Sequence, residues 1–129
     1  MTPPPRIVCF DWGGVILRHC RSWQEGCDAA GLACHQTVLT PEHTARRRAL
    51  TQKFQKGELS TDAFFESLVH ANDGRYTRDE LVRIHDAWLL DEYEGVHGLL
   101  ERLSRVPHVE TALLSNTNHE HWVRHLPKP

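Results

Sequence analysis

The chain has 129 residues, 40% hydrophobic and 25% charged, with 15 Lys+Arg against 17 Asp+Glu and a formal net charge of -2. That is the composition of an ordinary globular chain of about one domain, and without a basic excess it excludes a nucleic-acid binder held by bulk charge. Its apolar runs are far shorter than the ~20 residues of a membrane helix. The start, Met1-Thr2-Pro3-Pro4-Pro5-Arg6, lacks the apolar stretch of a secretory signal, so a cytoplasmic location with no membrane partner is expected.

In chain order, Ile7-Val8-Cys9-Phe10 is a short apolar run between proline punctuation and Asp11, which predicts a strand buried on both faces of a parallel sheet. Gly13-Gly14 then requires a turn or a close backbone approach. Ser22-x-x-Glu25 has the form of a capping box and Gly31 that of a C-terminal stop, giving a helix from about Trp23 to Ala30. Thr40-Pro41-Glu42 reads as N-cap, first-position proline and dipole-favourable acid of a helix ending near Gly57. Its polar middle, Arg46-Arg47-Arg48, predicts a solvated basic face.

Ser60-Thr61-Asp62 opens the next helix, with Phe64, Phe65, Leu68 and Val69 on one face. Thr77-x-x-Glu80 is another capping box, followed by the stripe Leu81, Ile84, Trp88 and Leu89. Together these helices predict a small bundle with a solvent side, in which Trp23 and Trp88 pack, as does Trp122 further on. Val96, Leu99, Leu100 and Leu103 mark a further helix, ended by Val106-Pro107. Thr111-Ala112-Leu113-Leu114 is a second buried-strand candidate, closing on Ser115-Asn116-Thr117-Asn118.

Cys9, Cys20, Cys27 and Cys34 contain no CxxC pair and read as small, partly buried thiols. His121 and His125 stand at i, i+4, a spacing that can bind zinc; ordinary surface histidines are the favoured reading.

Two strands joined by a helical crossover should be parallel and right-handed. Asp11 and Ser115-Asn116 then share the carboxyl edge of the sheet, where open α/β sheets bind ligands. A strand-end carboxylate can attack phosphorus or carbon and form a covalent intermediate. The following glycines let backbone groups approach a ligand, and the Ser115 hydroxyl and Asn116 amide can donate hydrogen bonds to the transferred group. A divalent cation would reduce the repulsion between aspartate and phosphate. The competing structural readings are an Asx turn for Asp11 and a strand-ending hydroxyl for Ser115.

VCFDWGGVIL and the later LLSNTN, with FQKGELSTDAFF between them, resemble the haloacid-dehalogenase (HAD) superfamily of aspartate-nucleophile hydrolases, over a stretch from Arg6 to about His121. The resemblance implies an α/β fold: a HAD-like Rossmannoid parallel sheet, incomplete here, with an inserted helical-bundle cap. The core would comprise 1–18 and 93–129, and the cap 19–92. It further implies Asp11 as nucleophile and magnesium ligand, and the Gly13 carbonyl as a second ligand of a Mg2+ cofactor. Ser115 would hold the phosphoryl group with Asn116 beside it, and backbone N–H groups near Trp12 and Gly13 would complete the anion site, with Trp12 lining the pocket. The implied substrate is a small phosphorylated metabolite, with a carbon–halogen bond as the less favoured target.

Gly13 stands where the family's phosphatases usually carry a second Asp as general acid. After Ser115 the chain reaches Pro129 without the family's further lysine and acidic motifs; Lys128 is assigned no role. The alternative expectation is therefore a truncated, catalytically inactive remnant, or an interaction module that forms a homo-oligomer through an open sheet edge.

Overall fold

The computed structural model describes residues 2–125. In chain order the elements are β1 (Arg6–Phe10), β2 (Leu17–His19), α1 (Trp23–Ala29), a 3-10 turn (Gln36–Val38), α2 (Pro41–Gln55), α3 (Thr61–Ala71), α4 (Arg78–Ala87), β3 (Leu89–Glu92), α5 (Val96–Ser104), β4 (Val109–Leu113) and α6 (His119–His125). They divide into two units, one from residues 2–19 and 90–116, the other from 20–89 and 117–125.

In the first unit β1 and β4 pair in parallel, with Arg6 opposite Val109 and Phe10 opposite Leu113. The ladder continues one bond further, Leu114 N–H donating to the Phe10 carbonyl at 2.8 Å. Helix α5 packs against β4. The expectation that both strands are buried on both faces is overturned: Ile7 is 65% exposed, Leu113 43% and Leu114 74%. The physical reason is that a two-stranded ribbon with one packed helix cannot cover both of its faces.

β2 and β3 form a second two-stranded sheet that the sequence pattern does not predict. Leu17-Arg18-His19 carries too few residues to show a period of two. Leu89 falls in register with the apolar stripe of α4, yet that helix stops at Ala87 with Trp88 as its cap.

The second unit is helical. Its start signals are local and each forms: the side chains of Ser22, Thr40, Ser60 and Thr77 accept from the N–H groups of Glu25, His43, Ala63 and Glu80. At Thr77 the capping box is complete, Glu80 accepting the Thr77 N–H at 2.8 Å. Cys27, Val38, Phe54, Phe64, Phe65, Leu68, Tyr76, Leu81 and Ile84 make the core, with Phe54 and Phe64 stacked at 4.2 Å between centroids. Trp23 and Trp88 are packed against it, whereas Trp122, expected to pack, is 42% exposed. Gly26 of α1 lies under Trp88, where a Cβ would fall 2.6 Å from the indole.

The solvated basic face expected of α2 is only partly so. Arg46 pairs with Glu42 at 2.5 Å on the surface, but Arg47 is buried. Its guanidinium donates to the Val38 carbonyl at 3.0 Å and to Asn72 Oδ1 at 2.8 Å, and lies 4.3 Å from the Trp23 ring. A run of three arginines on a helix necessarily points in three directions, and the middle one here faces inward. Asn72 is itself fully buried and donates to the Leu68 carbonyl at 2.8 Å. Arg47→Ala strands two buried acceptors and removes a cation–π contact, so it should cost roughly 2–4 kcal/mol. The measurement is the urea midpoint; a midpoint equal to wild type would contradict the network's role.

Candidate active site

The first unit carries the candidate site. β1 delivers Asp11 as the first residue beyond its carboxyl end, and the parallel register delivers Leu114 and then Ser115 beyond β4 on the adjacent strand. Adjacent strands lie about 4.8 Å apart, so Asp11 and Ser115 leave the same sheet edge on neighbouring chains. Asp11 and Asn116 are exposed and Ser115 is half-buried.

The Asp11 carboxylate turns back on its own chain: Oδ1 accepts the Trp12 N–H at 2.7 Å. That backbone donor, expected to face an anion, is thus spent on Asp11 in this conformation. The Trp12 side chain is buried. Its carbonyl accepts from Val15, Ile16 and Leu17 at 3.2, 2.8 and 3.0 Å, and Gly14 N–H donates to the Leu17 carbonyl at 2.7 Å. This closed turn needs Gly14, whose φ of +82° lies in the left-handed region.

The turn also brings a residue that no sequence motif singles out. His19 of β2 folds back over the glycines, so that a Cβ on Gly13 would meet His19 Cδ2 at 3.6 Å and one on Gly14 would meet Nε2 at 3.3 Å. The contact comes from the backbone path of the turn, which residue spacing does not reveal.

For a magnesium ion the donor chemistry is right in kind. One carboxylate and one backbone carbonyl, Asp11 and Gly13, are the hard oxygens magnesium takes. Among the described residues no group of three or more His, Cys, Asp or Glu could hold a metal. Magnesium usually keeps several waters and is held by one or two carboxylates plus substrate phosphate, so these residues fit an ion that arrives with a phosphorylated ligand. Lys128 lies outside the described residues.

The C-terminal histidines belong to the second unit. His121, expected at the surface, is buried and stacks on His85 at 3.8 Å between centroids and 15° between planes. His121 Nε2 is 2.7 Å from the His85 carbonyl oxygen. Asn118 joins the pair, with Nδ2 at 3.2 Å from both His85 Nε2 and His121 Nδ1, and its Oδ1 accepts the His121 N–H at 3.0 Å. Asn118 therefore caps α6. Burial is the main cause pushing both imidazoles down, His85 to about 2. Arg124 Nε lies 2.8 Å from Asp86 Oδ1 as a charge contact without hydrogen-bond alignment.

The four cysteines are free thiols: Cys20 and Cys27 buried, Cys34 half-buried and Cys9 exposed. Burial pushes the Cys20 thiol up, and that of Cys27 to about 11, the setting of an inert thiol.

No protein-family model matches the chain, and no curated protein matches it. Among solved structures, the HAD-family enzyme BT-2542 of Bacteroides thetaiotaomicron is similar, with a TM-score of 0.71 and 17% identity over 95% of this chain and 58% of that one. Two further structures of that enzyme are complexes with magnesium and inorganic phosphate. The wild-type complex has a TM-score of 0.68 and 19% identity over 92% and 57% of the two chains. The complex of an aspartate-to-alanine variant has a TM-score of 0.66 and 17% identity over 92% and 56%. This chain thus spans less than two thirds of that enzyme's length. Among the described residues no helix is long and apolar enough to cross a membrane. The chain has the α/β fold of the HAD-family enzymes, with a small parallel sheet and several helices.

Proposed function

We propose that the protein is a hydrolase of small phosphate monoesters that uses Asp11 as its nucleophile. One observation carries this reading: the parallel register of β1 and β4 sends Asp11 and Ser115 off the same sheet edge. The magnesium and phosphate held by the similar HAD-family structures favour the same chemistry.

In the proposed reaction an Asp11 oxygen attacks phosphorus, the bond to the leaving oxygen breaks, and that oxygen takes up a proton. Water then cleaves the aspartyl phosphate, releasing inorganic phosphate and restoring the carboxylate. Ser115 and Asn116 hold the phosphoryl oxygens. Asp11 and the Gly13 carbonyl would hold Mg2+, which when bound neutralises charge on the transferred group. The helical segment 19–92 is assigned as the cap that selects the substrate. Free thiols suit a reducing compartment such as the cytoplasm.

The test is release of inorganic phosphate from a panel of sugar phosphates. Turnover should require Mg2+ and stop on chelation, and Ser115→Ala should lower it roughly 10²–10³-fold, the usual effect of losing one donor to transition-state charge. Equal rates with chelator, or an unimpaired Ser115→Ala variant, would overturn the assignment.

The exposure of Ile7, Leu113 and Leu114 favours a second reading, a non-catalytic module that self-associates through the open sheet edge. Light scattering separates the two: a folded oligomer without turnover supports the module, and an active monomer removes it.

A further inference from the structure

We propose that Cys27 and Cys34 are an oxidisable pair, in which a peroxide converts Cys34 to the sulfenic acid and Cys27 then closes a disulfide. Both cysteines lie in the helical unit, so the inference stands apart from the hydrolase reading.

The local fold brings the two thiols together. Cys27 lies in the last turn of α1. Gly31, at a left-handed φ of +68°, lets the chain reverse, and the Leu32 N–H donates to the Cys27 carbonyl at 2.9 Å. Cys34 thereby returns to the helix that the chain has just left. Both sulfurs meet the same atom, the Tyr76 hydroxyl oxygen, at 3.5 Å for Cys27 and 3.9 Å for Cys34. That oxygen already accepts the His35 N–H at 2.9 Å and the Trp23 indole N–H at 3.3 Å. A phenol has two lone pairs and one proton, so with both pairs engaged the proton is directed to the sulfurs. A thiolate formed here has a hydrogen-bond donor waiting. It also has a cation, the buried Arg47 guanidinium, whose charge neighbours are the Tyr76 phenol and the Cys27 and Cys34 thiols.

Access gives the order of events. Cys34 is half-buried and within reach of a small oxidant. Cys27 is fully buried, and its thiol, pushed up to about 11 mainly by that burial, is inert to reagents in solvent. Held beside its target it needs no such access, and proximity offsets its weak ionisation. The steps balance. The Cys34 thiolate takes one oxygen from hydrogen peroxide, the O–O bond breaks, and hydroxide leaves as water with the proton the thiol gave up. The Cys27 sulfur then bonds to the sulfenic sulfur, the S–O bond breaks, and hydroxide leaves as water with the Cys27 proton. The sulfurs together lose two electrons, and the peroxide gains them.

The chain supplies its own control. Cys20 and Cys27 are separated by the same seven positions as Cys27 and Cys34, so either loop costs an unfolded chain the same closure entropy. In the folded chain, however, the Cys20 thiol is directed to the Ala87 carbonyl at 3.8 Å. The experiment treats the full chain with hydrogen peroxide, folded and in urea, then alkylates the remaining thiols in denaturant and measures unreduced tryptic peptides by mass spectrometry. Cys27 and Cys34 share peptide 22–46, so their disulfide leaves it unalkylated and short of two hydrogens, whereas a Cys20–Cys27 bridge joins it to peptide 19–21. In the folded chain the Cys27–Cys34 bridge should exceed the Cys20–Cys27 bridge at least ~10-fold, while in urea the two should form equally. Dithiothreitol should restore both thiols. A folded chain that forms no Cys27–Cys34 bridge, or forms it only in the ratio seen in urea, overturns the pairing, as does Cys34 passing on to sulfinic acid while Cys27 stays alkylatable. Cys34→Ser should leave Cys27 a free thiol after the same treatment; Cys27 oxidised as fast without Cys34 would overturn the order of events.

Discussion

Asp11→Asn should reduce Mg2+-dependent phosphate release by roughly 10⁴-fold or more while leaving the protein as stable as before. The activity loss follows because an amide has no anionic oxygen with which to form the phosphoenzyme, and a nucleophile removed from a covalent mechanism takes nearly all of the rate with it. Stability should be preserved because Asp11 is exposed. Its hydrogen bond, Oδ1 accepting the Trp12 N–H, can be made equally well by the Asn carbonyl oxygen. Surface substitutions of this kind usually stay within about 0.5 kcal/mol. Phosphate release and a urea titration on the same two preparations check both halves. Activity retained by Asp11→Asn would remove the nucleophile; activity lost together with several kcal/mol of stability would make the loss uninformative about chemistry and count against the exposed, locally bonded placement of the side chain.

Acidification should destabilise the helical unit steeply between pH 6.5 and 4.5, because of His85 and His121. Both are held neutral by burial, with folded-state values below the ~6.5 of an unfolded histidine. The unfolded chain therefore binds more protons as pH falls, and stability drops with it. The stabilising contribution is complete above pH 6.5 and is lost progressively toward the folded value, about 2 for His85. By pH 4.5, two units below the unfolded value, His85 alone accounts for about 3 kcal/mol, a large share of the 5–15 kcal/mol typical of a domain. Protonating both rings would also set two cations face to face at 3.8 Å. Thermal melts across this range test it, with His85→Phe as control. That ring already sits edge-on to Phe64 and Phe65, so the substitution suits its surroundings and should flatten the pH dependence. A wild-type melting temperature that does not move between pH 7.5 and 4.5 would refute the account.

The helix starts were legible because a cap is a property of four consecutive residues, and Ser22, Thr40, Ser60 and Thr77 each announce themselves locally. The parallel pairing of β1 with β4 followed from chirality and chain order, and with it the common edge of Asp11 and Ser115. What the sequence left hidden depends on partners distant along the chain. Nothing adjacent to Arg47 shows that Val38 and Asn72 will supply its acceptors, and nothing near His121 points to His85, 36 residues earlier. The expected burial of β1 and β4 failed for a related reason: apolar composition records a tendency to be covered, and the cover itself is a tertiary matter. His19 escaped notice because the turn sets it beside glycines, which carry no side chain to suggest a neighbour.

The place of Gly26 beneath the Trp88 indole bears on the order in which the helical unit assembles. A seven-residue helix with glycine in its middle has almost no intrinsic helicity, since short helices are marginal in water and glycine costs about 1 kcal/mol relative to alanine. α1 therefore acquires its shape by docking on α4, which lies some fifty residues later. Closing so long a loop is entropically slow. The α3–α4 hairpin, capped at both helix starts and packed through neighbouring sequence, is the more local unit, so α1 is expected to join after it, its conformation borrowed from its template.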